Sequence, residues 1–289
     1  MDIAIKLPRL LAKEGRVGRA YPLHAINNIR TPSCGCVDVL SGFGTTMSED
    51  RLNVLTDFQH QVRSAFNWDY QDDLTSATEM ADAFSKQPPY GVKKWSDSNR
   101  TQSLDIICKE LKDADCVKIL GAAVKQQDVE NFKQENFAII ASDGAVGVID
   151  DFENLICIVS DLDGGLHLDK AAKNGQRFII HAHGDNISRW KKCLDTWSCF
   201  PSPPEIILSN QVDEKLEGMH NFGGFTDGDR AVCFALWAGV DISKIELVGF
   251  STGHIGEWSG TTNTELKFDK LSWMKKILAF LNLDHQIKM

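Results

Sequence analysis

The chain has 289 residues, 43% of them hydrophobic and 25% charged, a composition ordinary for a folded globular protein with a sizeable core and no need of disulfide staples. At roughly 100–200 residues per domain, it accommodates one large domain or two modest ones. A formal net charge of −9 argues against a nucleic-acid binder, because phosphate backbones attract basic surfaces; it does not argue against a nucleotide enzyme, whose phosphates can meet carboxylates through divalent cations.

No run approaches the roughly 18 apolar residues needed to span a bilayer. The opening M-D-I-A-I-K-L-P-R-L-L is broken by Asp2, Lys6 and Pro8, so it is not a signal-peptide core. The expectation is a cytoplasmic protein with no membrane partner. The eight cysteines are Cys34, Cys36, Cys108, Cys116, Cys157, Cys193, Cys199 and Cys233. Several sit in apolar runs and read as reduced, buried thiols. Cys34-Gly-Cys36 is too short a spacing for a Cys-x-x-Cys metal or redox motif.

Residues 1–46 hold short apolar pieces divided by Gly and Pro, with room for a strand around 36–40. Residues 48–66 predict a helix, with Leu52, Leu55, Phe58, Gln59, Val62 and Phe66 near helical spacing. Residues 72–86 predict a second, opened by Asp72-Asp73 and striped by Leu74, Ala77, Met80, Ala81 and Phe84. The stretch 87–99, Q-P-P-Y-G-V-K-K-W-S-D-S-N, is turn-rich and reads as a domain junction. The expected division is therefore a smaller, partly helical N-terminal region over 1–99 and a catalytic domain over 100–289.

From residue 100 short β-rich runs alternate with helical stretches. The runs are 116–120, 137–141, 155–160, 177–182, 205–209 and 245–250; the helices are expected near 126–134, 144–151, 186–198 and 227–239, with a final amphipathic helix at 271–283. Continuous apolar strands separated by helices imply a mostly parallel sheet covered on both faces. That is an α/β fold with a doubly wound, Rossmann-like sheet.

In such sheets ligands bind beyond the carboxyl ends of the strands, so the residues just after each strand are the candidates for a site. After 137–141 comes Ser142-Asp143-Gly144-Ala145. After 155–160 comes Asp161-Leu162-Asp163-Gly164. After 177–182 comes His183-Gly184-Asp185-Asn186, and after 205–209 a loop leading to Thr226-Asp227-Gly228-Asp229-Arg230. A lone loop Asp is commonly a cap or turn former. Four Asp-Gly loops at one sheet edge call for a common reason, because crowded carboxylates repel unless cations sit among them. Magnesium supplies one, since it takes oxygen ligands and bridges carboxylates to substrate phosphates. Neighbouring glycines let backbone N–H groups approach phosphate oxygens.

The stretch 223–230, G-G-F-T-D-G-D-R, places a glycine loop at a helix N-terminus, a natural anion site. Arg230 falls in the first turn, where a cation opposes the helix dipole. That reads as a phosphate clamp, the competing reading being a surface salt bridge to Asp227 or Asp229. His181-Ala-His183-Gly-Asp185 has the look of a zinc site, but no further His or Cys cluster completes one. His183 reads better as a hydrogen-bonding or phosphate-contacting residue, and His181 as a satisfied buried histidine. Neither a phosphate-loop sequence nor a G-x-G-x-x-G fingerprint after a strand is present, and Gly42-Phe-Gly44 is too little to count.

Taken in order, S-D-G-A, S-D-L-D-G, H-A-H-G-D-N and G-G-F-T-D-G-D-R-A resemble the archaeal-type 6-hydroxymethyl-7,8-dihydropterin pyrophosphokinases, over roughly 115–252. The resemblance implies a catalytic domain similar to thiamin pyrophosphokinase. It implies Mg²⁺-dependent transfer of a diphosphate from ATP to the pterin hydroxymethyl group, with release of AMP, on the route to folate- or methanopterin-type cofactors. It implies Asp161, Asp163 and Asp185, with Asp227, as metal-site acids, and the same four with Arg230 as the catalytic set. Asp143 and Gly144 would belong to the nucleotide or pterin pocket, and His183, Asn186, Gly224, Thr226 and Asp229 would contact substrate. Arg230 or Lys191 would hold phosphates. The partners would be small molecules, ATP and a pterin alcohol; a homo-oligomer is compatible with all of this. One departure is at 120–124, L-G-A-A-V, where the family carries a Gly-Pro-Ser-Leu type turn.

Two rival readings stand beside this one. The stretch 155–164, L-I-C-I-V-S-D-L-D-G, is close to the opening motif of haloacid-dehalogenase-type phosphatases, with Asp161 as nucleophile and Asp163 as general acid. Gly165, however, stands where that motif has Thr or Val. The second rival is a non-catalytic or glycosylation-linked relative, whose long extra segments this chain lacks.

Overall fold

The computed structural model describes residues 45–130, 132, 136–260 and 263–288. The strand expected at 36–40 and the Cys34-Gly-Cys36 pair lie outside them. Seven strands, β1 (Cys116–Leu120), β2 (Phe137–Ser142), β3 (Leu155–Ser160), β4 (Arg177–Ala182), β5 (Glu205–Asn210), β6 (Met219–His220) and β7 (Ile245–Val248), are joined in one sheet. Its order is β6-β5-β4-β3-β2-β1-β7, and every neighbouring pair is parallel.

Alternate side chains along each strand enter opposite cores. Val117, Ile119, Ile140, Val159, Ile179 and Ile207 face one. Ile139, Ile158, Phe178, Ile180 and Leu208 face the other. Burial on both faces is the reason these strands read as unbroken apolar runs. The helices are α1 (Glu49–Phe66), α2 (Tyr70–Ser85), α3 (Asp97–Asp113), α4 (Gln126–Glu130), α5 (Leu166–Lys173), α6 (Ile187–Ser198), α7 (Asp227–Trp237) and α8 (Thr264–Phe280). Leu55 of α1, Ile107 of α3, Phe234 of α7 and Ile277 of α8 close the first core. Met80 of α2, Leu168 of α5 and Trp190 of α6 close the second. The fold is thus the expected doubly wound α/β sandwich.

Local chemistry sets the element ends. Ser48 caps α1 by accepting from the Arg51 N–H at 3.2 Å, and Glu49 and Asp50 sit at the positive end of the helix dipole. Asn67, at φ 54°, closes it in the left-handed region. Asp69 caps α2 at once by accepting from Gln71 N–H at 2.9 Å. β7 stops at Val248, short of the expected 250, because Gly249 turns the chain at φ +73°.

Several elements depart from expectation. α3 rises from the stretch that reads as turn and junction: Ser96 is its N-cap, accepting from Asn99 N–H at 3.4 Å. Helix α5 is an addition to the expected set, an eight-residue helix that buries Leu168, Ala171 and Ala172. The helix expected at 144–151 is a 3-10 segment, Asp143–Val148; two glycines and two β-branched valines give it little α-helical preference. α8 begins at Thr264 under the cap Asn263, a full two turns before 271. Among the described residues no helix is long and apolar enough to cross a membrane. Cys157 and Cys233 are buried free thiols, and burial pushes both thiol pKa values up.

Candidate active site

The carboxyl ends of β2, β3 and β4 and the turn into α7 open on one cavity of about 430 Å³. Asp143, Asp161, Asp163, His183, Asp185, Thr226, Asp227 and Arg230 all line it. Asp143 comes directly after β2 in the left-handed region, at φ 49°. Its Oδ1 accepts from Ser160 Oγ at 2.5 Å and from Gly164 N–H at 3.1 Å, which ties the β2 turn to the β3 turn. The tie leaves no room for a side chain at Gly164, where a Cβ would lie 2.6 Å from Gly144 N. In the β3 turn Leu162 takes a positive φ of 73° and buries its side chain. Asp161 and Asp163 on either side are left at the cavity.

Ligand oxygens of Asp143, Asp161 and Asp163 lie within 4.8 Å of one another. An all-carboxylate donor set at that spacing suits a hard divalent cation such as Mg²⁺, so the residues present fit the metal. Burial pushes the Asp143 carboxyl well above its ordinary range, and the charges of Asp227, Asp163 and Asp161 add to it. Asp227 is pushed up to about 7 by burial and by Asp161, against the opposing pull of Arg230. Burial acts upward on Asp161 as well, but the His183 hydrogen bond and charge, with Arg189 and Arg230, outweigh it and hold that carboxyl down. Asp161 is thus held toward its charged form while Asp143 and Asp227 are held toward the neutral one, the division that crowded carboxylates adopt.

The β4 turn is held by hydrogen bonds that reach from the cavity wall into the core behind it. His183 Nε2 lies 2.9 Å from Asp161 Oδ2. Asn186, fully buried, accepts from His183 N–H at 3.1 Å and from Ser76 Oγ at 3.0 Å, and donates to the carbonyls of His181 at 2.6 Å and Asp161 at 3.3 Å. All its polar capacity is used in the turn, so it shapes the loop and does not line the cavity. Asp73 of α2 accepts from Gly184 N–H at 2.7 Å, from Gln211 Nε2 at 2.8 Å and from Arg63 Nη1 at 3.0 Å. His181 is buried between Ser209 Oγ at 3.0 Å and Gln211 Oε1 at 3.3 Å. Asp185 lines the cavity wall as an exposed side chain and stands outside the three-carboxylate group.

The turn into α7 differs from the expected anion site. Asp229 is fully buried and accepts from the backbone N–H groups of Phe225 and, at 3.0 Å, Thr226, as well as from Thr226 Oγ1 at 2.7 Å. The amides of Phe225 and Thr226 are therefore already satisfied within the loop. Gly224, at φ +81°, is packed so that a Cβ would meet Arg230 Cα at 2.6 Å. Gly144, Gly224 and Asp229 accordingly sit behind the cavity surface. Arg230 donates to Asp227 Oδ1 at 3.1 Å, to Phe225 O at 2.7 Å and to Gln211 Oε1 at 3.3 Å. The salt bridge is with Asp227, and it is buried, not superficial: Arg230 is 3% exposed, and its Nε has no partner among the described residues.

Lys191 is turned away, paired with Glu79 at 2.5 Å on the surface. Besides Arg230, the cations that line the cavity among the described residues are Lys267 and Lys270 of α8. Trp68 and Asp72 of the α1–α2 junction and Trp258 of the loop before α8 complete the wall. The motif reading missed all five. The available signal was an apolar aromatic held between two capping residues, Asn67 and Asp69, and two lysines three apart on one helix face.

Fold and site together define an α/β protein with an acidic, cation-ready pocket at the carboxyl edge of a parallel sheet. No family model matches the chain. It is 27% identical over 239 residues to the Pyrococcus furiosus protein named 6-hydroxymethyl-7,8-dihydropterin pyrophosphokinase, an alignment covering 80% of this chain and 94% of that one. The protein of that name from Methanocaldococcus jannaschii is 29% identical over 239 residues, 78% of this chain and 92% of its own. A third, from Methanothermobacter thermautotrophicus, is 35% identical over 123 residues, 42% of this chain and 49% of its own. The chain is a relative of these archaeal pyrophosphokinases, and the likeness extends well beyond the four motif loops.

Proposed function

We propose that the chain transfers the terminal diphosphate of ATP to the hydroxymethyl oxygen of 6-hydroxymethyl-7,8-dihydropterin. The reaction is Mg²⁺-dependent, releases AMP, and serves folate- or methanopterin-type cofactor synthesis in the cytoplasm. The observation that carries this reading is the convergence of Asp143, Asp161 and Asp163 within 4.8 Å in a cavity that also holds two lysines. The names of the archaeal relatives supply the substrate class.

Asp143, Asp161 and Asp163 would hold Mg²⁺, whose charge neutralises the diphosphate during transfer. Lys267 and Lys270 line the cavity without a carboxylate partner among the described residues, and they take the phosphate-holding place expected of Lys191. Asp227, with its pKa raised to about 7, is the acid suited to accept the hydroxyl proton at neutral pH. The acceptor oxygen bonds to the β-phosphorus as the bond from that phosphorus to the bridging oxygen of AMP breaks. That oxygen keeps the electron pair. Arg230 keeps Asp227 in position through its 3.1 Å hydrogen bond. In this reading the N-terminal region, residues 1–99, contributes through Trp68, Asp72 and Asp73 to the same site as the catalytic domain, 100–289.

The test is an assay with ATP, Mg²⁺ and the pterin alcohol, scored for AMP, with thiamine as competing acceptor and a phosphatase substrate without ATP in parallel. AMP formation with the pterin alone supports the reading. AMP formation only with thiamine, or phosphate release without ATP, overturns it. Asp163→Asn should lower turnover at least about a hundredfold with the melting temperature retained, and near-normal activity would remove Asp163 from the site.

A further inference from the structure

Trp68 is held more firmly than an exposed aromatic normally is. Asn67 ends α1 in the left-handed region, and Trp68 N–H donates back to Arg63 O at 2.9 Å. The next residue, Asp69, is already the cap of α2. A single residue between two fixed caps has no backbone freedom of its own. Its ring is backed by Phe66, with centroids 4.6 Å apart and planes 17° from parallel, and flanked by Phe225 at 6.0 Å. It nevertheless remains 40% exposed, and it lines the cavity. Lys270 Nζ lies 5.5 Å from the ring centroid, on a long side chain that an entering ring can displace toward the phosphates.

Beside it, in the first turn of α2, the Asp72 carboxylate also lines the cavity and has no hydrogen bond or ion pair among the described residues. Phe225 links this corner to the chemistry, since its ring touches Trp68 and the chain reaches Asp227 two residues later. A rigid indole with an unpaired carboxylate beside it is suited to a flat heterocycle that carries adjacent N–H donors along one edge.

Resting on the function proposed above, we propose that Trp68 and Asp72 form the acceptor subsite. Trp68 stacks on the fused rings of the pterin, and Asp72 accepts from the neighbouring ring N–H and exocyclic amino group of its aminopyrimidinone edge. The pair selects acceptor over nucleotide: adenine sets its amino group beside a ring nitrogen lone pair, which a carboxylate repels. The hydroxymethyl arm then points along Phe225 toward Asp227.

Steady-state kinetics and calorimetric binding of 6-hydroxymethyl-7,8-dihydropterin to wild type, Trp68→Ala, Trp68→Phe and Asp72→Asn test this. Stacking and charged hydrogen bonds of this kind predict that Trp68→Ala and Asp72→Asn each raise the KM and Kd for the pterin about tenfold or more, with the KM for ATP changed less than about twofold. Trp68→Phe should recover most of the loss. Melting temperatures should stay near wild type, since both side chains are exposed. An unchanged pterin KM in Trp68→Ala, or an equal rise in the KM for ATP, overturns the subsite while leaving the transfer reaction standing. A wild-type protein that neither binds nor converts the pterin overturns both.

Discussion

Replacing Asp227 with Asn should stabilise the metal-free protein most at pH 8 and less than about half as much at pH 5. Asn keeps the shape and an oxygen for the Arg230 hydrogen bond but removes the charge. The sign comes from linkage. The Asp227 carboxyl is raised from its ordinary value of 3.8 to about 7 by burial and by Asp161. Between those two pH values the folded chain keeps a proton that the unfolded chain has already released. Stability from this group is therefore full below pH 4 and falls as pH rises to 7. At 1.36 kcal/mol per pKa unit the ceiling is about 4 kcal/mol. Asp143 is pushed up as well, and a proton on either acid relieves the other. We assign about half the ceiling, about 2 kcal/mol, to Asp227. For a body of this size, that corresponds to about 4 °C in melting temperature. The assay is thermal unfolding of wild type and Asp227→Asn with chelator present, at pH 5 and pH 8. Added Mg²⁺ at pH 8 should then stabilise wild type more than it does at pH 5. An equal difference at both pH values, or a larger loss for the variant at pH 8, would refute the electrostatic account.

Other substitutions probe the scaffold around the acids. Asp73→Ala strips the buried Arg63 of its carboxylate, 3.0 Å away with both side chains 6% exposed, and should cost about 3–5 kcal/mol in denaturant unfolding. It should also lower activity by freeing the Gly184 turn. Gly249→Ala puts a Cβ 2.1 Å from Val124 N at a φ of +73°; a loss of at least about 2 kcal/mol is expected from strain and clash together, read by the same unfolding curves. Lys191→Ala breaks a surface pair with Glu79 and a contact over the Trp190 ring, both away from the cavity, so activity should hold and stability should change by less than about 1 kcal/mol.

The strands were legible because two-sided burial demands unbroken apolar runs, and β1, β3 and β4 begin and end where those runs do. Helix α3 was hidden because its first turns are polar: the Ser96-Asp97-Ser98-Asn99 cluster that reads as a turn is a cap with the first helical turn behind it. Helix α8 was cut short for a related reason. Its first two turns put Lys267 and Lys270 on the cavity, so the apolar stripe that marks a helix against a core starts only at Leu271.

The amino-acid sequence by itself determined that acids and glycines recur after successive parallel strands, and that register alone brings them to one sheet edge. Which acids work together was decided by the tertiary structure. A bond from Ser160 to Asp143 and a close packing of Gly164 on Gly144 draw Asp143 in beside Asp161 and Asp163, whereas Asp185 is left exposed on the cavity wall and Asp229 is used up as a cap. The aromatic and basic walls come from α1–α2 and α8, elements far from the motif loops in sequence. Only folding brings them against the acids, because a cavity is a property of packed surfaces and leaves no period in the chain.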